Sequence, residues 1–103
     1  MPVKSTPEPV RWSLLAESDF AGILEYLHTN WGNTVAVKFI DIVEEIVSQI
    51  QFNPRQFPVI QKKMKIRKCV ITKHNTLYYR VKRNYIDVLR IYDNRQDPKK
   101  LKF

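Results

Sequence analysis

The chain has 103 residues, which is one domain's worth of sequence, and 44% of them are apolar, enough for a single modest core. Its formal charge is +8, with 14 Lys or Arg against 3 Asp from Lys62 onward and 4 Lys or Arg against 7 acids before it. That balance points to a polyanionic or acidic partner. The single Cys69 excludes an internal disulfide and any multi-cysteine metal centre, and no stretch approaches the roughly 20 apolar residues that span a bilayer.

Residues 1–9 are rich in Pro, Ser and charge and read as a loose arm, with no apolar run of the kind a signal peptide carries. A cytoplasmic location is the expectation. Val10-Arg11-Trp12 is a short candidate strand. Ser13 stands where a helix N-cap belongs, and Glu17 and Asp19 follow early, where negative charge suits the helix dipole. Ala16, Phe20, Ile23, Leu24, Leu27 and Trp31 then recur at helical spacing until Gly32. A second stripe of Val35, Phe39, Ile42, Val43, Ile46 and Ile50 follows, with Asn33 or Thr34 as cap and Pro54 as stop. So short a joint implies an antiparallel helical hairpin.

Residues 53–64 read as a connector. From Ile66 to Pro98, three β-rich runs are divided by Lys73-His74-Asn75 and Lys82-Arg83-Asn84. This is the signature of a three-stranded antiparallel meander. On the middle run, Leu77, Tyr79 and Val81 alternate with Thr76, Tyr78, Arg80 and Lys82. On the last, Leu89 and Ile91 should share one face, and Ile86, Val88, Arg90 and Tyr92 the other. The expected architecture is an α+β fold of two layers, β-α-α-β-β-β. The helical hairpin packs on one face of an antiparallel sheet, and the other face is left free.

No glycine-rich phosphate loop and no metal-ligand spacing occurs; His28 and His74 stand alone. No metal or cofactor is expected. What remains is a basic face with aromatics interleaved, carried by Lys62, Lys63, Lys65, Arg67, Lys68, Tyr78, Arg80, Arg90, Tyr92 and Arg95. Such a surface holds phosphates and stacks bases, or clamps an acidic peptide. Lys62, Lys63, Arg67, Tyr78, Arg80 and Arg90 are the candidate RNA- or target-binding residues. Arg95, just past the last run, either pairs with Asp93 or Asp97 or offers its fork to a phosphate.

The order and spacing of these segments resemble the RelE/ParE superfamily of toxins from bacterial type II toxin–antitoxin modules. The resemblance rests on Val10-Arg11-Trp12-Ser13, on Ala16 and Asp19-Phe20, and on Phe52-Asn53-Pro54. It continues through Ile66-Arg67, residues 75–81 and residues 86–98, and so spans nearly the whole chain. It implies a growth-inhibiting toxin held inactive by a small antitoxin. The target is either mRNA in the ribosome, cleaved without a metal, or DNA gyrase. It also implies a homodimer or a toxin–antitoxin hetero-oligomer. Residue by residue, Lys62, Lys63 and Lys65 match the nuclease branch's lysines and Arg95 its last arginine. Arg95, Lys65 and Tyr92 are therefore the candidate catalytic residues. The sequence departs from that branch at Thr76, where an arginine is usual, at Asp93, where a His is common, and near Leu101, where a Tyr is. Only Tyr92 or His74 is left for acid–base work. The rival reading is a basic nucleic-acid-binding or interaction module without toxicity, or an inactive relic of such a toxin.

Overall fold

The computed structural model describes residues 6–103; most of the expected N-terminal arm, residues 1–5, lies outside that range. The elements are β1 (Val10–Trp12), α1 (Leu14–Trp31), α2 (Asn33–Phe52), β2 (Val59–Gln61), β3 (Ile66–Thr72), β4 (Asn75–Val81) and β5 (Ile86–Asp93). A single 3₁₀ turn, Pro98–Lys100, follows. The α+β architecture is the expected one, and two details of its sheet differ. The strand order is β1-β5-β4-β3-β2, with β1 parallel to β5 and the remaining pairs antiparallel, so the sheet is mixed. The helical hairpin carries the chain from β1 over one sheet face, so β1 can join β5 with the same direction. The second difference is β2. Three residues inside the expected connector pair with β3, too few to show alternation in sequence.

Ser13 caps α1 as read: its hydroxyl accepts from the Ala16 N–H at 3.0 Å and donates to the Leu89 carbonyl at 2.7 Å. One cap thus starts the helix and ties it to β5. The joint between the helices is a single residue, Gly32, with φ +92°. Only glycine enters that region without steric cost. Gly32 itself takes the cap position of α2, ahead of Asn33 and Thr34.

Ala16, Phe39, Val43, Ile50, Cys69, Leu77, Tyr79, Ile86, Val88 and Ile91 form the buried core. Trp12, Phe20 and Phe39 run through it as tilted rings with centroids 5.5 and 6.0 Å apart. Tyr79 is fully buried, and its hydroxyl donates to the Pro54 carbonyl at 2.6 Å, joining the middle strand to the end of α2. Ala36, absent from the expected stripe, is buried, while Val35 and Ile42 are more than a third exposed. The buried face of α2 is centred on Ala36, Phe39, Val43 and Ile50. Trp31, at the helix end, is 66% exposed.

Strand β5 corrects the expected face assignment. Tyr78 faces Arg90, but Tyr79 faces Val88, which leaves Leu89 as a bulge. An extra residue resets the alternation of a strand. Ile86 and Val88 therefore join Ile91 on the core side, while Arg90 and Tyr92 stay with Thr76, Tyr78 and Arg80 on the second face.

Candidate functional site

The second face of the sheet pairs Thr76 with Tyr92, Tyr78 with Arg90, and Arg80 with Asp87 across β4 and β5. It collects three of the expected binding residues, Tyr78, Arg80 and Arg90, together with Tyr92. Each is already engaged. Arg80 donates through Nε to Asp87 at 3.3 Å. Arg90 donates through Nε and Nη2 to the two oxygens of Asp19 at 2.7 and 3.0 Å. Asp19 also accepts the Ile91 N–H at 3.1 Å, a strand donor that β1 is too short to reach. Asp19 thus holds α1 to the edge of β5. Its bonds keep the Arg90 guanidinium charged beyond its ordinary range. The Arg90 guanidinium also stands 5.5 Å from the Tyr92 ring centroid.

This face is not free along its whole length, contrary to the expectation from alternation. Residues 97–103 turn back over it. The Tyr92 hydroxyl donates to the Asp97 carbonyl at 2.6 Å, and Arg90 Nη1 donates to the Lys102 carbonyl at 2.7 Å. Phe103 meets Tyr78 edge-on at 5.4 Å. Burial, and then the neighbouring Tyr92, raise the Tyr78 phenol above its ordinary pKa.

Around the end of β5 the chain forms a cleft of about 830 Å³ between the later half of α1 and the strand tips. Ile23, Leu27, Trp31 and Val35 supply its apolar wall, and Tyr26, His74, Asp93 and Arg95 its polar one. Arg95 holds Asp93 with a two-pronged contact, Nε to Oδ1 at 3.0 Å and Nη2 to Oδ2 at 2.8 Å. Of the two partners open to Arg95, the structure selects Asp93. Asp97 instead caps the 3₁₀ turn by accepting the Lys99 N–H at 2.9 Å. The Arg95 bonds hold the Asp93 carboxyl below the usual carboxylate range. His74 is a turn residue whose carbonyl accepts the Asn94 N–H at 2.7 Å. Thr76, at the position of the missing arginine, is buried and donates to Asn94 at 2.8 Å.

The lysines lie elsewhere. Lys62, Lys63 and Lys65 occupy the β2–β3 turn and are exposed, Lys65 with φ +57°. Arg67, just inside β3, donates to the Arg55 and Phe57 carbonyls at 3.2 and 2.6 Å and so pins the connector. Arg67 is level with Tyr79 and Val88, whereas Arg95 lies beyond Asp93. Lys65 and Arg95 are thus at opposite ends of the sheet, on the order of 20 Å apart. Of the three candidate catalytic residues, only Arg95 and Tyr92 line one cavity, and the Tyr92 hydroxyl is spent on Asp97. Sequence reasoning missed Asp19, Tyr26, Trp31 and Phe103. Asp19 alone left a signal, its place in the first turns of α1, but that place says nothing of a strand 70 residues away.

Comparison with known proteins agrees with this architecture. A chromosomal ParDE toxin–antitoxin structure from P. aeruginosa superposes with a TM-score of 0.72 at 22% identity, over 84% of this chain and 95% of that one. A conserved hypothetical protein from Helicobacter pylori superposes at 0.56 with 19% identity, over 84% and 93%. A search of curated protein sequences returns no match. The family profile described as the ParE toxin of the type II toxin–antitoxin system parDE matches residues 10–98. With that match spanning the whole β-α-α-β-β-β-β core, the chain belongs to the ParE toxin family.

Proposed function

We propose that this chain is a growth-inhibiting toxin that acts in the cytoplasm by binding a protein target, DNA gyrase, and is neutralised by a cognate antitoxin. The observation that carries the choice of target is the separation of Lys65 from Arg95, with Tyr92, Arg80 and Arg90 each committed to an internal partner. Cleavage of RNA by its own 2′-hydroxyl needs a base, an acid and cations converging within hydrogen-bond reach of one phosphate. A binding inhibitor needs only a shaped, charged surface. The ParE branch of the superfamily supplies the expectation of gyrase. The antitoxin is expected to lay an extended segment across the second face and against the helical hairpin, covering the side of Arg80, Arg90 and Arg95. The net charge of +8 favours an acidic segment there.

The test expresses the chain alone from a tightly controlled promoter. Mapped mRNA 5′ ends and a supercoiling assay with purified gyrase are then read together. Growth arrest with intact coding regions and inhibited supercoiling is the expected result. New 5′ ends inside coding regions, absent in Arg95→Ala, would overturn the choice of target and restore the nuclease reading. Absence of arrest would overturn toxicity itself.

A further inference from the structure

We propose that the end of the sheet opposite Arg95 binds the phosphate backbone of duplex DNA, through two basic turns that only the fold brings together. The β2–β3 turn carries Lys62, Lys63 and Lys65, and the β4–β5 turn carries Lys82 and Arg83. Arg67, at the start of β3, faces Tyr79 near the end of β4, and Val81 faces Ile86, so both turns stand at the same end. In the strand order they are two strands apart, about 10 Å. Each turn is closed by its own backbone. The Lys65 N–H donates to the Lys62 carbonyl at 3.3 Å, and the Lys82 N–H to the Tyr85 carbonyl at 2.8 Å. None of the five cations has a carboxylate partner among the described residues. Asp87, next along β5, is bound to Arg80, and Glu8 precedes β1, the edge strand farthest from β2.

The chemistry of this rim selects the ligand. Lys62, Lys63, Lys65 and Arg83 are exposed and Lys82 is half-buried, so the cations reach outward as point charges on flexible stems. A surface that binds single strands stacks their bases on open aromatic rings. The aromatic of the second turn, Tyr85, already has the Arg11 guanidinium 5.8 Å from its centroid. A surface that enters a bilayer needs apolar side chains along its tip. Met64 supplies one in the first turn, but Lys82-Arg83-Asn84 supplies none. Two groups of cations about 10 Å apart suit the two phosphate strands that flank the roughly 12 Å major groove of B-form DNA. The major groove of an RNA duplex is narrow and deep. Contacts of this kind set position without reading sequence. The inference goes beyond the gyrase reading and does not rest on it, although a target that works on DNA presents such a duplex.

The experiment is fluorescence anisotropy of a labelled DNA duplex, titrated with the full chain across a salt series. Two variants of equal net charge are compared with wild type. The rim variant combines Lys62→Gln, Lys63→Gln, Lys82→Gln and Arg83→Gln, and keeps Lys65, whose φ is +57°. The control combines Lys73→Gln, Lys99→Gln, Lys100→Gln and Lys102→Gln, all exposed and away from this end. Each lost phosphate contact lowers the slope of log affinity against log salt by about 1. The rim variant is expected to lose about 3–4 of that slope and the control less than about 1. Equal losses in the two variants, or no binding by wild type at low salt, overturn the site. If circular dichroism shows the rim variant unfolded, Lys63→Gln with Arg83→Gln, one change per turn, is read in its place. A slope lower by about 2 is then expected, and an unchanged slope overturns the site. Competition with unlabelled duplex, a single strand of the same length, an RNA duplex and phosphatidylglycerol vesicles tests the ligand. The DNA duplex is expected to compete at the lowest phosphate concentration, and a lower one for any rival overturns the assignment to DNA. Gyrase enters none of these readouts. Failure to inhibit gyrase with the rim intact overturns only the target, and loss of the rim effect with gyrase inhibited overturns only the DNA site.

Discussion

At the scale of single residues, two carboxylates do different work. Asp19 accepts three hydrogen bonds, two from Arg90 and one from the Ile91 amide, and both ends of the ion pair are largely shielded, with side chains 13% and 17% exposed. Removing one member strands a charge and an amide together. Asp19→Ala is expected to cost about 3 kcal/mol and to lower the melting temperature by more than about 10 °C. A melt within a few degrees of wild type would refute that weight. Asp93 is more open and serves as a titration probe. The Arg95 bonds place its folded pKa below the unfolded value. Its contribution is therefore present above the ordinary carboxylate value of about 3.9, and is lost as pH falls through the lower folded value. Arg95→Ala removes the cause, so the Asp93 carboxyl, followed by NMR, is expected to titrate at higher pH. An unmoved Asp93 would mean that Arg95 does not hold it in solution.

At the scale of elements, α1 contains a residue that the fold does not explain. Gly22 lies in the helix interior and lines the cleft, and a Cβ added there meets no atom within 4 Å. A glycine in this position costs about 1 kcal/mol relative to alanine. Gly22→Ala is expected to raise the melting temperature by about 4–8 °C. A lower melting temperature would show a crowding that the structure does not contain. Helix and strand periods located α1, α2 and the meander because each stripe is long. Three features stayed hidden. The three residues of β2 are too short for a period. The Leu89 bulge is invisible to strict alternation and reversed the faces of Ile86 and Val88. The buried line of α2 moved onto Ala36, which is too small to weigh in a stripe yet lets a helix approach closely.

At the scale of the whole molecule, the core closes around one thiol. Cys69 is 1% exposed, and burial pushes its pKa up to about 11. A thiol so placed reacts only when the sheet opens. Labelling of the native protein with a thiol reagent is expected to run at the rate of global unfolding, and labelling in denaturant to be immediate. Fast labelling of the native protein would point to local opening of β3 and would weaken the case for a single cooperative core. The molecule's charge is distributed with the same economy. The lysines of the β2–β3 turn face solvent, whereas the arginines of the inner strands β3–β5 are each bound to a carbonyl or carboxylate.

Read alone, the sequence determined the element order, the helical hairpin, the Ser13 cap, the basic half and the resemblance to a toxin family. All of these follow from local chemistry: hydrophobic period, capping side chains and charge along the chain. Which residues meet was decided only by tertiary structure. Arg90 finds Asp19 across 71 positions, Lys65 is carried away from Arg95, and residues 97–103 lie over Tyr78, Arg90 and Tyr92. The reason is that strand order, register and a one-residue bulge set these distances. Register is a property of paired strands, and no single strand encodes it.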